Sequence, residues 1–286
     1  MINRKEILAK AKQDGVPPDT IDKDYVLGHF LYSLFSFDWA QKTFLFKGGT
    51  CLRKCYFENY RFSEDIDITV IDDAFQLTTG HIKAVCEHLK ERASIDTNIL
   101  SFRPISHKNK QVGWDIEICY WGANHNPSET PVFRKDCHTK IYCELRFFEK
   151  VVFKHEMHAL LHSYSDAHQI EIRIPCYGLH EVLAEKLRAL IQRNGDEARD
   201  YFDLWYIKQH NEHINWQAVK DAFLEKRRFK NLEFHGFSDF FVPKRIKQVE
   251  ITWEQRLSHQ LPFSVNRKAV LTELELFFKE LFPNQA

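Results

Sequence analysis

The sequence feature that most constrains the fold is a pattern of segments between residues 43 and 70, TFLFKGGTCLRKCYFENYRFSEDIDITV. It opens with a short apolar run, Thr43 to Phe46, of the kind that favours a β-strand. Two glycines and a threonine follow, and residues 50–57 have the spacing of a helix. The last segment alternates polar and apolar residues, which is typical of a strand. The predicted order is strand, Gly-Gly-Thr turn, helix, loop, and a strand that ends in a D-x-D motif.

The D-x-D motif predicts a metal site. Side chains alternate between the faces of a strand, so Asp65 and Asp67 point to one face while Ile66 and Ile68 point into the core. Two carboxylates on one face repel each other unless a cation lies between them or one is protonated. Carboxylate oxygens together with substrate phosphates suit Mg²⁺. The alternative is a solvent-facing pair at a strand edge that holds no metal.

The glycine turn predicts a phosphate site. A glycine-rich turn that enters a helix presents free backbone N–H groups to an anion, and Gly48 and Gly49 allow close approach of the backbone. Thr50 adds a hydroxyl at the expected N-cap position. Arg53 lies one helical turn further on, within reach of the same anion. The turn and the D-x-D motif are therefore interpreted as two halves of one nucleotide site.

The rest of the chain is predicted to form two lobes. The 286 residues carry 40 basic and 40 acidic side chains, so global charge gives no evidence of nucleic-acid binding. The character changes from mixed α/β to helical near residue 178, which predicts lobes at 1–177 and 178–286. The predicted helices cover residues 3–13, 17–37 with a cap at Asp19 or Thr20, 80–93, 181–193, 198–210, 215–229 and 265–281. The further predicted strands cover residues 99–104, 112–121, 139–148 and 169–175.

A third acidic ligand is expected, because two-metal sites usually have one. Glu144 in KIYCELRFF and Glu117 in WDIEICYW are both candidates, and Glu144 is preferred. An acid in so apolar a strand is costly to bury without a partner. The alternative is that both glutamates face solvent.

The helical lobe contains a charged pattern with two interpretations. Lys186 and Arg193 share a helical stripe, and Asp200 and Asp203 are i, i+3 neighbours on the next helix. One interpretation is an ordinary helix pair joined by a Lys186–Asp200 salt bridge. The other is that Lys186 binds a triphosphate and Asp200 orders the wall of the pocket.

Two local clusters of cations are candidates for RNA contact. They are EKRRFKNLEF at residues 225–234 and PKRIK at residues 243–247, and phenylalanines are interleaved with the first. Such clusters suit an RNA backbone, and aromatic rings suit base stacking. The alternative is a solvated helix face.

The cysteines and the N-terminus predict a cytoplasmic protein. Seven cysteines, an odd number with no C-x-x-C pair, are interpreted as small buried thiols of a reducing cytosol, with a zinc site as the alternative. The polar N-terminus MINRKEILAKAKQDG is not a signal peptide, and no apolar run is long enough to span a membrane.

Taken together, the motifs resemble those of the AbiEii/AbiGii nucleotidyltransferase toxins, which have the DNA polymerase β-type nucleotidyltransferase fold. The matching segments, in order, are IDKDYVLGHFL, KGGTCLRKCY, RFSEDIDITV, KIYCELRFF, LHEVLAEKLRALIQR and ARDYFDLWYI. The resemblance spans residues 20 to 260 or so. It implies an α+β fold with a nucleotidyltransferase-like mixed sheet, flanking helices and a helical C-terminal lobe that completes the nucleotide pocket.

The resemblance also implies roles for individual residues. Gly49 and Thr50 match the phosphate-binding pair, with Gly48 beside them. The implied metal ligands are Asp65, Asp67 and Glu144. The implied catalytic residues are these three with Lys186 and Asp200, and Lys186 is also an implied nucleotide residue. Arg53 and Arg193 are further candidates for nucleotide binding, selected from their spacing and not from the resemblance.

The implied activity is transfer of NMP from an NTP to an acceptor hydroxyl, with Mg²⁺ or Mn²⁺ as cofactor and release of pyrophosphate. A tRNA 3′ end is the expected acceptor, and the protein is expected to be the toxin of a type IV toxin–antitoxin or abortive-infection system, with a separately encoded antitoxin and no membrane partner. The alternatives are transfer to a small molecule or a protein hydroxyl, or a binding module without catalysis.

Overall fold

The computed structural model describes residues 1–126, 128–134, 136–193 and 198–283. The chain divides into two compact units. The first comprises Met1–Glu149 and His155–Cys176, and the second comprises Lys150–Lys154 and Tyr177–Ala286. Each unit is described separately below.

The first unit is built on a seven-stranded mixed sheet with the order β3-β4-β5-β2-β1-β7-β6. Its strands are β1 (Phe44–Lys47), β2 (Asp65–Val70), β3 (Asp96–His107), β4 (Lys110–Trp121), β5 (Lys140–Arg146), β6 (Glu156–Ala159) and β7 (Arg173–Cys176). β2 runs parallel to β5, and β1 runs parallel to β7, whereas the other neighbours are antiparallel. The mixed sheet expected from the sequence is therefore confirmed.

Helices precede the sheet and connect its first strands in the first unit. They are α1 (Arg4–Asp14), α2 (Pro18–Phe35), α3 (Asp38–Thr43), α4 (Gly48–Cys51) and α5 (Thr79–Ala93), and α4 continues directly into a π-helical turn, Leu52–Tyr56. α2 begins at Pro18 with no side-chain cap, so the predicted cap by Asp19 or Thr20 is wrong. Proline fixes φ near its helical value, so it can start the helix without a side-chain cap.

The two faces of the sheet differ in polarity. Ile66 and Ile68 of β2 and Cys143 and Leu145 of β5 are buried in the core. The alternate residues of the same strands, among them the D-x-D carboxylates, lie on the opposite face. The alternation read from the sequence is therefore confirmed, and it leaves one face free for polar chemistry.

The second unit is helical in its described part. Its helices are α6 (Leu179–Gln192), α7 (Ala198–His210), α8 (Trp216–Phe229), α9 (Pro243–Thr252) and α10 (Arg267–Leu281). The helical C-terminal part expected from the sequence is confirmed. The sequence does not predict α9, because residues 243–247 stand out only as a cluster of cations.

Several predicted strand features were wrong in detail. The D-x-D motif begins β2 instead of ending it. Thr50 lies inside α4, whose N-cap is Lys47. The predicted strand at 169–175 is reduced to β7, after a 3₁₀ turn at Ala167–Gln169, and β6 was missed. These errors concern ends and register, which depend on partners distant in sequence.

The expectation that every cysteine is a free thiol is wrong for two of them. Cys119 of β4 and Cys137 form a disulfide, with Cα atoms 6.8 Å apart. The chain reverses between β4 and β5, and this reversal brings the two residues together. The other five cysteines are free. Within the described residues, no helix is both long and apolar enough to cross a membrane.

Candidate active site

The glycine turn and the D-x-D motif meet because β1 and β2 are antiparallel. Lys47, the last residue of β1, is paired with Asp67 in β2. The end of one strand therefore lies beside the start of the other. Had the carboxylates ended β2, as predicted, the length of the strand, about 20 Å, would separate them from the turn.

Gly48 is in direct contact with the second aspartate. Its φ is +80°, a left-handed backbone conformation that residues other than glycine rarely adopt. A Cβ atom at this position would lie 2.2 Å from Oδ2 of Asp67. The glycine is therefore required both by the backbone conformation and by the space that the carboxylate occupies.

Thr50 links α4 to the start of β2. Its hydroxyl donates a hydrogen bond to the backbone carbonyl of Asp65 and lies 2.9 Å from the hydroxyl of Ser63. Thr50 is fully buried. In this structure its side chain therefore fixes the backbone that carries Asp65, and its backbone N–H, in the first turn of the helix, has no intrahelical acceptor.

A row of carboxylates crosses three strands beside the turn. Asp67 of β2 is paired with Glu144 of β5, and Glu144 is paired in turn with Asp115 of β4. Residues that are directly opposite in a sheet project from the same face. The structure thus brings Asp65, Asp67 and Glu144 to one face.

Glu117 lies further from the aspartates than Glu144 does. It is paired with Tyr142, which separates it from Asp65 on the next strand. Its carboxylate lies 3.8 Å from both Arg103 and Lys140. Of the two candidates for the third carboxylate, Glu144 is therefore the direct neighbour of the D-x-D motif.

The electrostatics of the row reflect crowding of negative charge. Burial is the largest effect that raises the pKa of Glu144, and the neighbouring Asp67 raises it further. Arg146 opposes this shift, since its guanidinium lies 3.0 Å from Glu144 and 2.7 Å from Asp115. This many carboxylate oxygens suit a hard divalent cation as ligands. Gly48, which leaves room for the Asp67 carboxylate, lies beside the same cluster.

Arg53 projects into a different environment from the carboxylate row. Its Nε is 2.5 Å from Asp24, its Nη1 donates to the carbonyl of Tyr60, and its guanidinium stacks over Phe62 at 3.7 Å from the ring centroid. Asp24 also pairs with Lys54 at 2.8 Å. The assignment of Arg53 to the nucleotide stays a prediction.

The charged residues of the second unit form a compact network. Nζ of Lys186 lies 2.8 Å from Asp200 and 2.5 Å from Asp203, and Arg193 lies 3.4 Å from Asp200. Asp203 is completely buried, and Lys186 and Asp200 are nearly so. The salt-bridged helix pair is therefore present, and nucleotide roles for Lys186, Arg193 and Asp200 stay predictions.

The basic clusters are only partly on the surface. Lys226 is buried and pairs with Glu181 at 2.5 Å, and Phe234 packs among Phe223 and Phe240. Phe234 is therefore not placed for stacking on a base, whereas Phe229 is 48% exposed. The sequence pattern of the two basic clusters does not distinguish side chains that point into the core from side chains that point to solvent.

Sequence reasoning missed several residues around the carboxylates. Asp115 belongs to the carboxylate row, Arg146 pairs with Asp115 and Glu144, and Ser63 contacts Thr50. Arg61 lies against the turn, since a Cβ at Gly49 would be 2.4 Å from its guanidinium. The alternation in VGWDIEICYW does indicate that Asp115 shares a face with Glu117, but only the pairing of β4 with β5 places it beside Glu144.

Comparisons with solved structures agree with this architecture. The nucleotidyltransferase toxin MenT4 from Mycobacterium tuberculosis is 20% identical, with a TM-score of 0.61 and coverage of 98% of this chain and 90% of that chain. JHP933 from Helicobacter pylori is 13% identical, with a TM-score of 0.57 and coverage of 93% of both chains. At these identities the likeness concerns the fold alone. No curated protein matches the sequence significantly.

The family comparison covers most of the chain. The model described as "Nucleotidyl transferase AbiEii toxin, Type IV TA system" matches residues 29–273, which include the glycine turn, the carboxylate row and the network around Lys186. The chain therefore belongs to the AbiEii family of nucleotidyltransferase toxins.

Proposed function

We propose that this nucleotidyltransferase uses Mg²⁺ to transfer NMP from an NTP to the 3′ hydroxyl of a tRNA. The observation that carries the proposal is the carboxylate row of Asp65, Asp67 and Glu144 directly beside the glycine turn. Oxygen donors next to a backbone that approaches closely to an anion suit a metal-bound triphosphate.

In the proposed reaction the acceptor oxygen attacks the α-phosphorus of the NTP. A new phosphorus–oxygen bond forms, the bond to the β-phosphate breaks, and pyrophosphate leaves. When bound, Mg²⁺ supplies charge neutralisation for the triphosphate. The residues proposed to hold it are Asp65, Asp67 and Glu144.

The chain's own groups are proposed to orient the reactants. The backbone N–H groups of Gly49 and Thr50 bind phosphate oxygens, and Gly48 keeps space for the Asp67 carboxylate. Glu144 either accepts the proton of the attacking hydroxyl or completes the metal shell, and its position beside Asp67 supports both roles.

We also retain Lys186, Arg193 and Asp200 of the second unit, and Arg53 of the first, as proposed nucleotide-site residues. An ammonium group is a point charge that suits a triphosphate better than a monophosphate. Lys186→Ala is therefore expected to weaken NTP binding far more than NMP binding. Equal losses for both ligands would assign Lys186 to the salt-bridge network alone.

The proposed biological role follows from the family. Its members are toxins of type IV toxin–antitoxin systems, so an antitoxin encoded as a separate chain is the proposed partner. We place the reaction in the cytoplasm, where NTPs and tRNA are found.

Incubation with each α-labelled NTP, Mg²⁺ and total RNA tests the proposal. The expected result is label from one preferred NTP in the tRNA band, lost on removal of divalent cations and restored by Mg²⁺. Label on protein or on a small molecule would replace tRNA with that acceptor. Absence of transfer from every NTP would overturn the proposed activity.

A further inference from the structure

Three thiols of the first unit gather at the base of the glycine turn. Cys51 is the last residue of α4, Cys55 lies in the π-helical turn that follows, and Cys176 ends β7. Their sulfur atoms all lie within 4.8 Å of one another. Cys51 and Cys176 are completely buried, and Cys55 is nearly so.

The fold explains why these residues meet. Cys51 and Cys55 are four residues apart on a continuous helical segment, so they share a face. β7 runs parallel to β1 with Cys176 paired to Phe46, just before the turn. The cluster therefore joins the helix that carries the turn to a strand more than a hundred residues away in sequence.

The dimensions of the cluster suit a thiophilic metal ion. Metal–sulfur bonds of about 2.3 Å place three sulfurs around a common ion about 4 Å apart. The observed triangle has this scale without a rearrangement of the backbone. Soft thiolate ligands select Cu⁺ and Zn²⁺ over hard cations such as Mg²⁺.

The burial of the cluster also suits a bound cation. The hydroxyl of Tyr56 lies 3.9 Å from the Cys176 sulfur. Burial of a thiolate without a partner is costly, and a cation bound to all three sulfurs offsets that cost.

The other cluster of metal-capable residues within the described ranges is different. His29, His162 and Asp166 also lie close together. There, both histidines and the hydroxyl of Tyr25 hydrogen-bond to the carboxylate of Asp166, at 2.9–3.3 Å. The charge of that carboxylate is already stabilised by hydrogen bonds from protein side chains, so nothing in this cluster calls for a bound ion.

We propose that Cys51, Cys55 and Cys176 bind one thiophilic d¹⁰ cation, Zn²⁺ or Cu⁺, and that this ion fastens the glycine-turn helix to β7. On binding, three sulfur–metal bonds form, each thiol that is still protonated releases its proton to solvent, and no oxidation state changes. Because Cys51 directly follows Thr50, the ion stabilises the segment that positions the turn. The site is separate from the carboxylate row, and the proposal does not depend on the transferase reaction.

Titration with Cd²⁺, a spectroscopic probe for thiolates, tests the proposal. Protein with the Cys119–Cys137 disulfide intact is titrated without oxygen, and the thiolate-to-metal charge-transfer band is recorded. The expected result is one equivalent of Cd²⁺ and a raised melting temperature. Competition with Zn²⁺ and, in a second arm, with Cu⁺ identifies which ion displaces the probe.

Variants locate the ion. Changes in groups that only support a metal ligand cost about 10–100-fold in affinity, so loss of a ligand in Cys176→Ala is expected to cost at least about 100-fold. Cys143→Ala is the matched control, because Cys143 is also a buried free cysteine but lies on β5 outside the cluster. Native mass spectrometry of the unaltered chain supplies a measurement that does not depend on the folding of any variant. No charge-transfer band and no retained ion in the unaltered chain, or undiminished binding in folded Cys176→Ala, would overturn the proposal.

Discussion

At the residue scale, the candidate site depends on a glycine as much as on its carboxylates. Gly48 has a positive φ, and Oδ2 of Asp67 occupies the position of a Cβ atom. Gly48 begins α4 and Asp67 lies in β2, so neither constraint is visible in the local sequence. The glycine pair was nevertheless predicted to be part of the site, since a turn that approaches phosphate closely needs glycine.

Gly48→Ala is therefore expected to lower the free energy of unfolding by more than about 1 kcal/mol, because alanine is strained at this φ and its methyl group displaces the Asp67 carboxylate. Transfer activity is expected to fall as well. Gly80→Ala is the control, since Gly80 lies in α5 with no atom closer than 3.4 Å to the added methyl, and it is expected to stabilise the chain by about 0.5–1 kcal/mol. Chemical denaturation measures the free energy of unfolding of both variants. An unchanged free energy of unfolding in Gly48→Ala would contradict the constraint on Gly48.

Asp22 in α2 predicts a pH-dependent stability. It is completely buried, Oδ2 has no hydrogen-bond partner, and burial is the main effect that raises its pKa to about 6. The folded state therefore binds the proton more tightly than the unfolded state does. The contribution of protonated Asp22 to the free energy of unfolding is fully present below pH 4 or so. It is lost as the pH rises through about 6.

Asp22→Asn is accordingly expected to raise the free energy of unfolding at pH 7.5 by about 3 kcal/mol, since the shift from 3.8 to about 6 is lost. The difference from the unaltered chain is expected to vanish at pH 4. Denaturation at both pH values measures this, with the exposed Asp73→Asn as control. If the difference in free energy of unfolding between Asp22→Asn and the unaltered chain did not depend on pH, the raised pKa of Asp22 would not be its cause.

At the element scale, the hydrogen bond from Thr50 connects α4 with β2. The segments around it were predicted in the right order, because hydrophobic periodicity reports helices and strands locally. The prediction failed where the pairing of distant strands decides. The D-x-D motif was assigned to the wrong end of β2, and Asp115 was not selected, because the register of β1, β5 and β4 is not written in any single segment.

Thr50→Val tests the role of this connection. Valine keeps the shape but cannot donate to the Asp65 carbonyl, so stability is expected to fall by about 1 kcal/mol. The kcat is expected to fall while the KM for NTP changes little, because the hydroxyl positions Asp65 and does not itself bind phosphate. Thr50→Ser, which keeps the donor, is expected to retain most of the activity. A raised KM with an unchanged kcat would instead assign the hydroxyl to the phosphates.

At the scale of the whole molecule, the chain combines a sheet-based unit that carries the carboxylates with a helical unit that carries exposed cations. The boundary near residue 177, inferred from a change in sequence character, stays a prediction. The sequence does not predict that the short segment Lys150–Lys154 groups with the second unit. Local composition did not reveal this grouping, because the segment is held there by contacts with α6 and α8, such as the hydrogen bonds of Val152 and Phe153 to Glu181.

If RNA is the acceptor, as proposed, the exposed cations of the second unit are its expected binding surface. Arg228, Lys244 and Lys247 are on the surface, unlike Lys226. Their combined change to glutamate is expected to weaken tRNA binding and to make the slope of log K against log salt shallower by about two to three units. NTP binding is expected to be unchanged. The control is a charge change of equal size at the exposed Lys5, Lys12 and Lys83 of the first unit. If tRNA affinity of the first variant matches that of the unaltered chain, the RNA surface lies elsewhere.

Transfer of α-labelled NMP to RNA by Asp67→Asn, compared with the unaltered chain and with Asp73→Asn, measures whether the carboxylate row carries the reaction. Asp67 touches the glycine turn and lies in the carboxylate row, whereas Asp73 is exposed beyond the end of β2. Asp67→Asn is expected to remain folded, since it removes one crowded negative charge, and its Mg²⁺-dependent transfer is expected to fall by a factor of about 100 or more. Asp73→Asn is predicted to be as active as the unaltered chain. A folded Asp67→Asn protein with full transfer activity would contradict the assignment of the active site to these carboxylates.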